Sequence, residues 1–198
     1  MASVKQVLNE KLVQPFLKAK ASRHEIALGA AIGMFWALNP LVGIQMMLVL
    51  ANWVVFKAIG IRFSSPIGVA MVWITNPVTM PFFYYGFYIS GVYALSAFGS
   101  EINLVNFESF KEVLTISLNM DTLEGLQYWV NFMIVDLGLP MLLGGVIVAT
   151  PIAVITYPVV YKILTKVRLR KAEKEGLSLE DWEWKFINQG QNSKSVKI

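Results

Sequence analysis

Trp36-Ala37-Leu38-Asn39-Pro40 and Trp73-Ile74-Thr75-Asn76-Pro77 repeat one pattern, Trp-x-x-Asn-Pro, each time inside a long uncharged apolar stretch. Proline has no backbone N–H and its ring clashes with the preceding turn, so each copy predicts a break in an apolar helix. In hydrocarbon such a break is tolerated only where neighbouring protein or a polar cavity satisfies the freed backbone groups. Two breaks of one kind therefore predict a polar site between broken helices.

The stretches around the motif define the class. No charged residue lies between Glu25 and Lys57 or between Arg62 and Glu101, and Asp136 alone lies between Glu124 and Lys162. Hydrophobic residues make up 56% of the 198-residue chain, more than one soluble core of this size readily buries. The three blocks, 26–56, 63–100 and about 128–161, are each long enough to enter a bilayer. The expectation is an all-α polytopic membrane protein with broken or re-entrant helices at the two Asn-Pro motifs and amphipathic helices at the interface. Lys5, Lys11, Lys18, Lys20 and Arg23 precede the first block, which is too polar and too long a leader for a cleaved signal peptide.

Three regions follow. Residues 1–25, with Val4, Leu8, Leu12 and Phe16 at four-residue spacing, read as an amphipathic cytoplasmic segment or as a solvated leader. Residues 26–161 form the membrane domain, interrupted by an acidic outer loop at 101–124 with an interfacial stripe of Phe107, Phe110, Leu114 and Leu118. Residues 162–198 form a basic cytoplasmic tail in which Ser178, ahead of Glu180 and Asp181, starts a short helix. Ser64-Ser65-Pro66 has the residues of a helix start. Gly138, Pro140, Gly144, Gly145, Pro151 and Pro158 predict that the third block is kinked or interrupted.

Lysines and arginines near membrane ends mark the cytoplasmic side, so both termini are expected inside and the acidic loop outside. The number of full crossings is then even. Lys57 and Arg62 favour block one as a hairpin returning inside. The competing arrangement makes block two a hairpin entering from outside and relates the two motifs as an inverted repeat.

The chain resembles a bacterial membrane family known as domain of unknown function 2062, some of whose members are joined to glycosyltransferase modules. The resemblance is carried by Ile26-Ala27-Leu28-Gly29-Ala30-Ala31-Ile32-Gly33-Met34-Phe35, by Pro40-Leu41-Val42-Gly43-Ile44-Gln45 and by Asn76-Pro77-Val78-Thr79-Met80-Pro81, and covers roughly residues 22–170. It implies a small multi-pass inner-membrane protein without an established reaction, with a membrane glycosyltransferase or a second copy of the chain as partner.

A half-helix starting after each Asn-Pro presents unpartnered amides and a partial positive charge, which attract anions. Asn39, Pro40, Gly43, Gln45, Asn76, Pro77 and Thr79 are the candidate ligand-binding residues, with Arg23 and Arg62 at the cytoplasmic rim. The expected function is binding or transport of an anionic membrane lipid, a polyprenyl-phosphate being one such lipid. The alternative is a non-catalytic scaffold or assembly factor in which the asparagines only cap broken helices. Asp136 is a candidate for proton coupling, or a carboxylate at the outer interface where water reaches it.

No serine, histidine and carboxylate set, nucleophile elbow, glycine-rich phosphate loop or acid pair stands in the blocks, so an enzyme is not expected. His24 is the sole histidine and cysteine is absent, so neither a metal site nor a cofactor is expected. Positive charge gathered at the membrane ends reads as a topology signal and not as a nucleic-acid surface.

Overall fold

The structure is a computed structural model, and it describes residues 19–41, 43–75, 79–99, 106–132 and 137–195. Among these residues every regular element is helical: α1 (Arg23–Ala37), α2 (Gln45–Ala58), α3 (Ser65–Val72), α4 (Met80–Ala97), α5 (Phe107–Asn119), α6 (Thr122–Phe132), α7 (Gly138–Lys174) and α8 (Leu179–Ser195). The all-α expectation holds for them. Residues 1–18 of the amphipathic segment expected over 1–25 lie outside the described residues, as do Asn76, Pro77 and Asp136.

The described chain forms two compact units, one built from residues up to Met34, Met46–Val72 and Ala153 onward, the other from Phe35–Gln45 and Trp73–Ile152. In the first, α1 and α3 lie closer than side chains permit. A β-carbon on Gly29 would strike the Ser64 carbonyl, and one on Gly33 would come within 2.7 Å of Gly68 Cα. Small residues four apart on each helix thus bring the two backbones together. Gly29 pairs with Ser64 and Gly33 with Gly68, so the helices run parallel. The Ser64 N–H donates to the Glu25 carbonyl at 2.9 Å. Ser65 and Pro66 open α3, as their sequence predicts.

α1 is 15 residues long and α2 is 14, which at about 1.5 Å per residue gives lengths of about 22 and 21 Å. Each falls short of a hydrocarbon core about 30 Å thick. α1 ends at Ala37, just before Asn39-Pro40, as proline requires. α2 closes on the positive-φ Gly60 (φ +82), a left-handed position that glycine fills without steric cost.

In the second unit, α4 and the first part of α7 pack with equally little room. A β-carbon on Gly91 would meet the Pro140 carbonyl, and one on Gly144 the Phe87 carbonyl. Moving four residues forward on α7 moves the contact four residues back on α4, so these two run antiparallel. Tyr84, Phe87 and Tyr88 are buried on the inner face of α4, whereas Phe82 and Tyr93 are exposed. A helix stands on the acidic stretch where one was expected, α5, and a second amphipathic helix, α6, follows from Thr122 and packs on it. Asn106 caps α5 by accepting from the Ser109 N–H at 2.8 Å, and Phe107 seats against Phe82 and Tyr85.

Of the kink or interruption expected in the third block, no interruption occurs from Gly138 onward, and residues 133–136 lie outside the described residues. α7 runs unbroken for 37 residues, from Gly138 to Lys174, through Pro151 and Pro158. Each internal proline forfeits one backbone hydrogen bond. Unwinding a whole turn in an apolar setting would expose several more groups, so continuity is the cheaper outcome. α7 is the one helix among the described residues long and apolar enough to cross a membrane, and 22% of its most apolar 18-residue window is buried. Ile147, Val154, Ile155, Val159 and Ile163 are exposed along it.

Candidate functional site

A helix leaves its last four carbonyls without intrahelical partners, a demand that becomes costly when the end is buried. At the end of α1 the sequence supplies donors for it. Asn39 Nδ2 donates to the Phe35 carbonyl at 2.7 Å, and the Asn39 N–H to that of Trp36 at 3.2 Å. Ala37 receives two donors, Thr75 Oγ1 at 3.0 Å and Gln45 Nε2 at 3.5 Å. Gln45 Nε2 also reaches the Asn39 carbonyl at 2.8 Å. Asn39, Gln45 and Thr75 are 3%, 5% and 7% exposed. They form a buried polar centre in an apolar chain.

Packing closes this centre. Pro40 is buried against α7, where a β-carbon on Gly145 would lie 2.7 Å from Pro40 Cδ and 3.4 Å from Asn39 Oδ1. The buried Tyr84 side chain lies beside Gln45.

The sign of this end bears on its chemistry. The carbonyl end of a helix carries partial negative charge, and the amide groups of Asn39 and Gln45 turn their N–H donors toward it. What they turn elsewhere is carbonyl oxygen, which receives donors and repels anions. The amides that an anion would need belong to the start of α2, which begins at Gln45, five residues beyond Pro40. There Gly43 (φ +85) and Ile44 are exposed, and a side chain at Gly43 would meet nothing within 4 Å.

The second copy of the motif is described only in part. Thr79 Oγ1 donates to the Ile74 carbonyl at 3.1 Å, and Thr79 sits ahead of α4 without a side-chain capping bond. Of the nine ligand-binding residues expected from sequence, Asn39, Pro40 and Gln45 come together, with Gly43 on the connecting turn. Thr79 is placed at the start of α4, and Arg62 is exposed on the link between α2 and α3. Thr75, Tyr84 and Gly145 join the centre without having been expected. The signal for Thr75 was its place inside the motif as a polar residue in an uncharged stretch.

Arg23 belongs to a different cluster, within the first unit. Glu183 of α8 accepts from the Arg23 N–H and from Arg23 Nε, both at 3.1 Å, and from Arg168 Nη1. Arg23 Nη1 donates to Thr165 Oγ1 at 3.2 Å, and Arg168 Nη2 to the Ala21 carbonyl at 2.9 Å. Tyr161 lies under the Arg23 guanidinium and Phe186 under that of Arg168. Burial pushes the Arg168 guanidinium below its ordinary value, and the Glu183 carboxylate opposes that shift. Sequence reading missed this cluster because 160 residues separate Arg23 from Glu183.

Residues 6–173 match the family described as "Uncharacterized protein conserved in bacteria (DUF2062)". No curated protein and no solved structure matches the chain.

Proposed function

We propose that this chain, which belongs to the bacterial DUF2062 family, is a non-catalytic multi-pass scaffold of the inner membrane, its broken helices held shut by a buried polar junction. The observation that carries this reading is the direction of the hydrogen bonds at Asn39, Gln45 and Thr75. All three side chains donate to carbonyls at the end of α1, which is the capping that any broken helix in hydrocarbon demands.

The parallel register of α1 and α3 supports block one as a re-entrant hairpin. The Glu25–Ser64 hydrogen bond sets the start of α3 beside the start of α1, so the chain enters with α1, turns at Asn39-Pro40 and returns with α2. Lys57 and Arg62 then share the cytoplasmic side with Arg23, in keeping with the positive-inside rule. A parallel pair also argues against the two motifs being an inverted repeat. The exposed apolar faces of α2, at Met47, Leu50, Val54 and Val55, and of α7 are the surfaces offered to lipid and to partner helices.

The second reading, binding or transport of an anionic lipid such as a polyprenyl-phosphate at the junction, has one observation in its favour. The turn before α2 is open at Gly43 and Ile44, which leaves the start of that helix approachable.

Mass spectrometry of lipids retained by the gently purified protein separates the two readings, comparing the parent with an Asn39→Ala, Asn76→Ala variant. The scaffold reading expects the same bulk lipids from both, with the variant less stable. Selective loss of a phosphate-bearing lipid from the variant would overturn it in favour of the lipid site.

A further inference from the structure

The Arg23–Arg168–Glu183 cluster is built like a receptor for an anion that the chain has filled with its own carboxylate. Two guanidiniums face one Glu183 side chain, so the cluster keeps an excess of one positive charge. The side chains of Arg23, Arg168 and Glu183 are 16%, 5% and 13% exposed, and charges withdrawn from water to this degree must find their partners within the protein. The Arg23 N–H that points at Glu183 is the first of α1, where the helix favours negative charge. Planar guanidinium forks and a helix start are groups that suit a tetrahedral dianion better than a single carboxylate, while the Thr165 hydroxyl donates to the Tyr161 carbonyl at 2.8 Å and holds Arg23 by accepting from it.

Its place along α7 fits a headgroup. The uncharged stretch ends at Tyr161, where Tyr157 and Tyr161 stack, as aromatic residues do at a membrane interface. Arg168 follows seven residues later, about 10 Å along the helix. The polar layer on each side of the hydrocarbon is about 5–8 Å thick, so Arg168 stands at its outer edge. Ile163 is exposed on the same stretch, and Lys162, Lys166 and Arg170 add positive charge around it.

We propose that Arg23 and Arg168 form a binding site for a phosphate monoester dianion, and that Glu183 occupies it as an intramolecular substitute, docking α8 until the ligand displaces it. The site shares no residue with the Asn39–Gln45 junction and does not depend on the scaffold reading. A phosphate monoester reaches it either as a lipid headgroup or as a soluble anion.

The test uses the full chain in nanodiscs of phosphatidylcholine alone, of phosphatidylcholine with one part in about five of phosphatidic acid, and of phosphatidylcholine with added inorganic phosphate. Hydrogen exchange of the α8 amides is read by mass spectrometry. Displacement of Glu183 predicts exchange faster by about tenfold with phosphatidic acid, the effect of a modest shift in a docking equilibrium. An equal effect from inorganic phosphate alone supports the site and assigns a soluble ligand to it. In Glu183→Gln, α8 exchanges fast in every lipid and the protein enriches phosphatidic acid through purification. Unchanged α8 exchange in the parent under all three conditions overturns the proposal, and that reading requires no variant to fold.

Discussion

The Ser64 N–H donates to the Glu25 carbonyl at 2.9 Å, which fastens the beginning of α3 to the beginning of α1. From this bond onward the two helices run side by side, Gly33 against Gly68, with no room for a side chain between them.

Gly33→Val fills that space with backbone on the other side, and neither helix can yield by rotating a side chain. The expected cost is at least about 1–3 kcal/mol, the usual range for overpacking. Thermal unfolding in detergent checks it. Gly86→Ala on α4, where a β-carbon would meet nothing within 4 Å, is the control and leaves the melting temperature unchanged or slightly raised.

Gln45→Ala removes the donor shared by the Ala37 and Asn39 carbonyls. Leaving buried carbonyls unsatisfied costs about 1–3 kcal/mol. Thr75→Val takes the other donor from Ala37, so the double variant loses more than the sum of the singles. A double-mutant cycle of unfolding midpoints measures the coupling, and simple additivity would contradict a shared carbonyl.

In the proposed re-entrant arrangement, Lys57 and Arg62 are expected on one side of the membrane and Glu108 and Asp121 on the other. The chain has no cysteine, so single cysteines at these four positions are labelled without background. A membrane-impermeant maleimide applied to intact cells is expected to reach positions 108 and 121 and to spare 57 and 62. Labelling at 62 from outside would make block one a full crossing.

The turn between α7 and α8 is sensitive to acid. Glu175 accepts from Lys185 Nζ and Trp182 Nε1, each at 2.8 Å, and these bonds hold its carboxyl below the ordinary range. A lowered carboxylate value means that its contribution is complete above the unfolded value and fades as pH falls through the folded one. Trp182 is buried in this turn. The expected outcome is a change in its fluorescence below about pH 4 that is reduced in Glu175→Gln. The effect is small because the pair is exposed to solvent.

The break after Ala37 was legible in sequence because proline at position 40 leaves few alternatives, and so was the start of α3 at Ser65-Pro66. The roles of Asn39 and Gln45 were legible only as polar atoms in an apolar run. Whether they face an anion or a carbonyl depends on which helix end they reach, and the motif does not record it. The parallel register of α1 and α3 depends on glycine contacts between distant segments, and glycine spacing alone reads equally well as packing of any kind. Pro151 and Pro158 predict a kink or an interruption, and no interruption occurs at either, because unwinding a turn would expose further backbone in an apolar setting. The Arg23–Glu183 pair was invisible because nothing local couples a tail helix to the first turn of α1.

That pairing also sets an order in time. Glu183 is synthesised 160 residues after Arg23, so throughout translation of the intervening helices the Arg23 cation stands without its eventual counter-charge. An unneutralised cation at the first insertion event is what retains a segment on the cytoplasmic side. In the proposed topology, neutralising it last would let one arginine orient the nascent chain and afterwards hold α8.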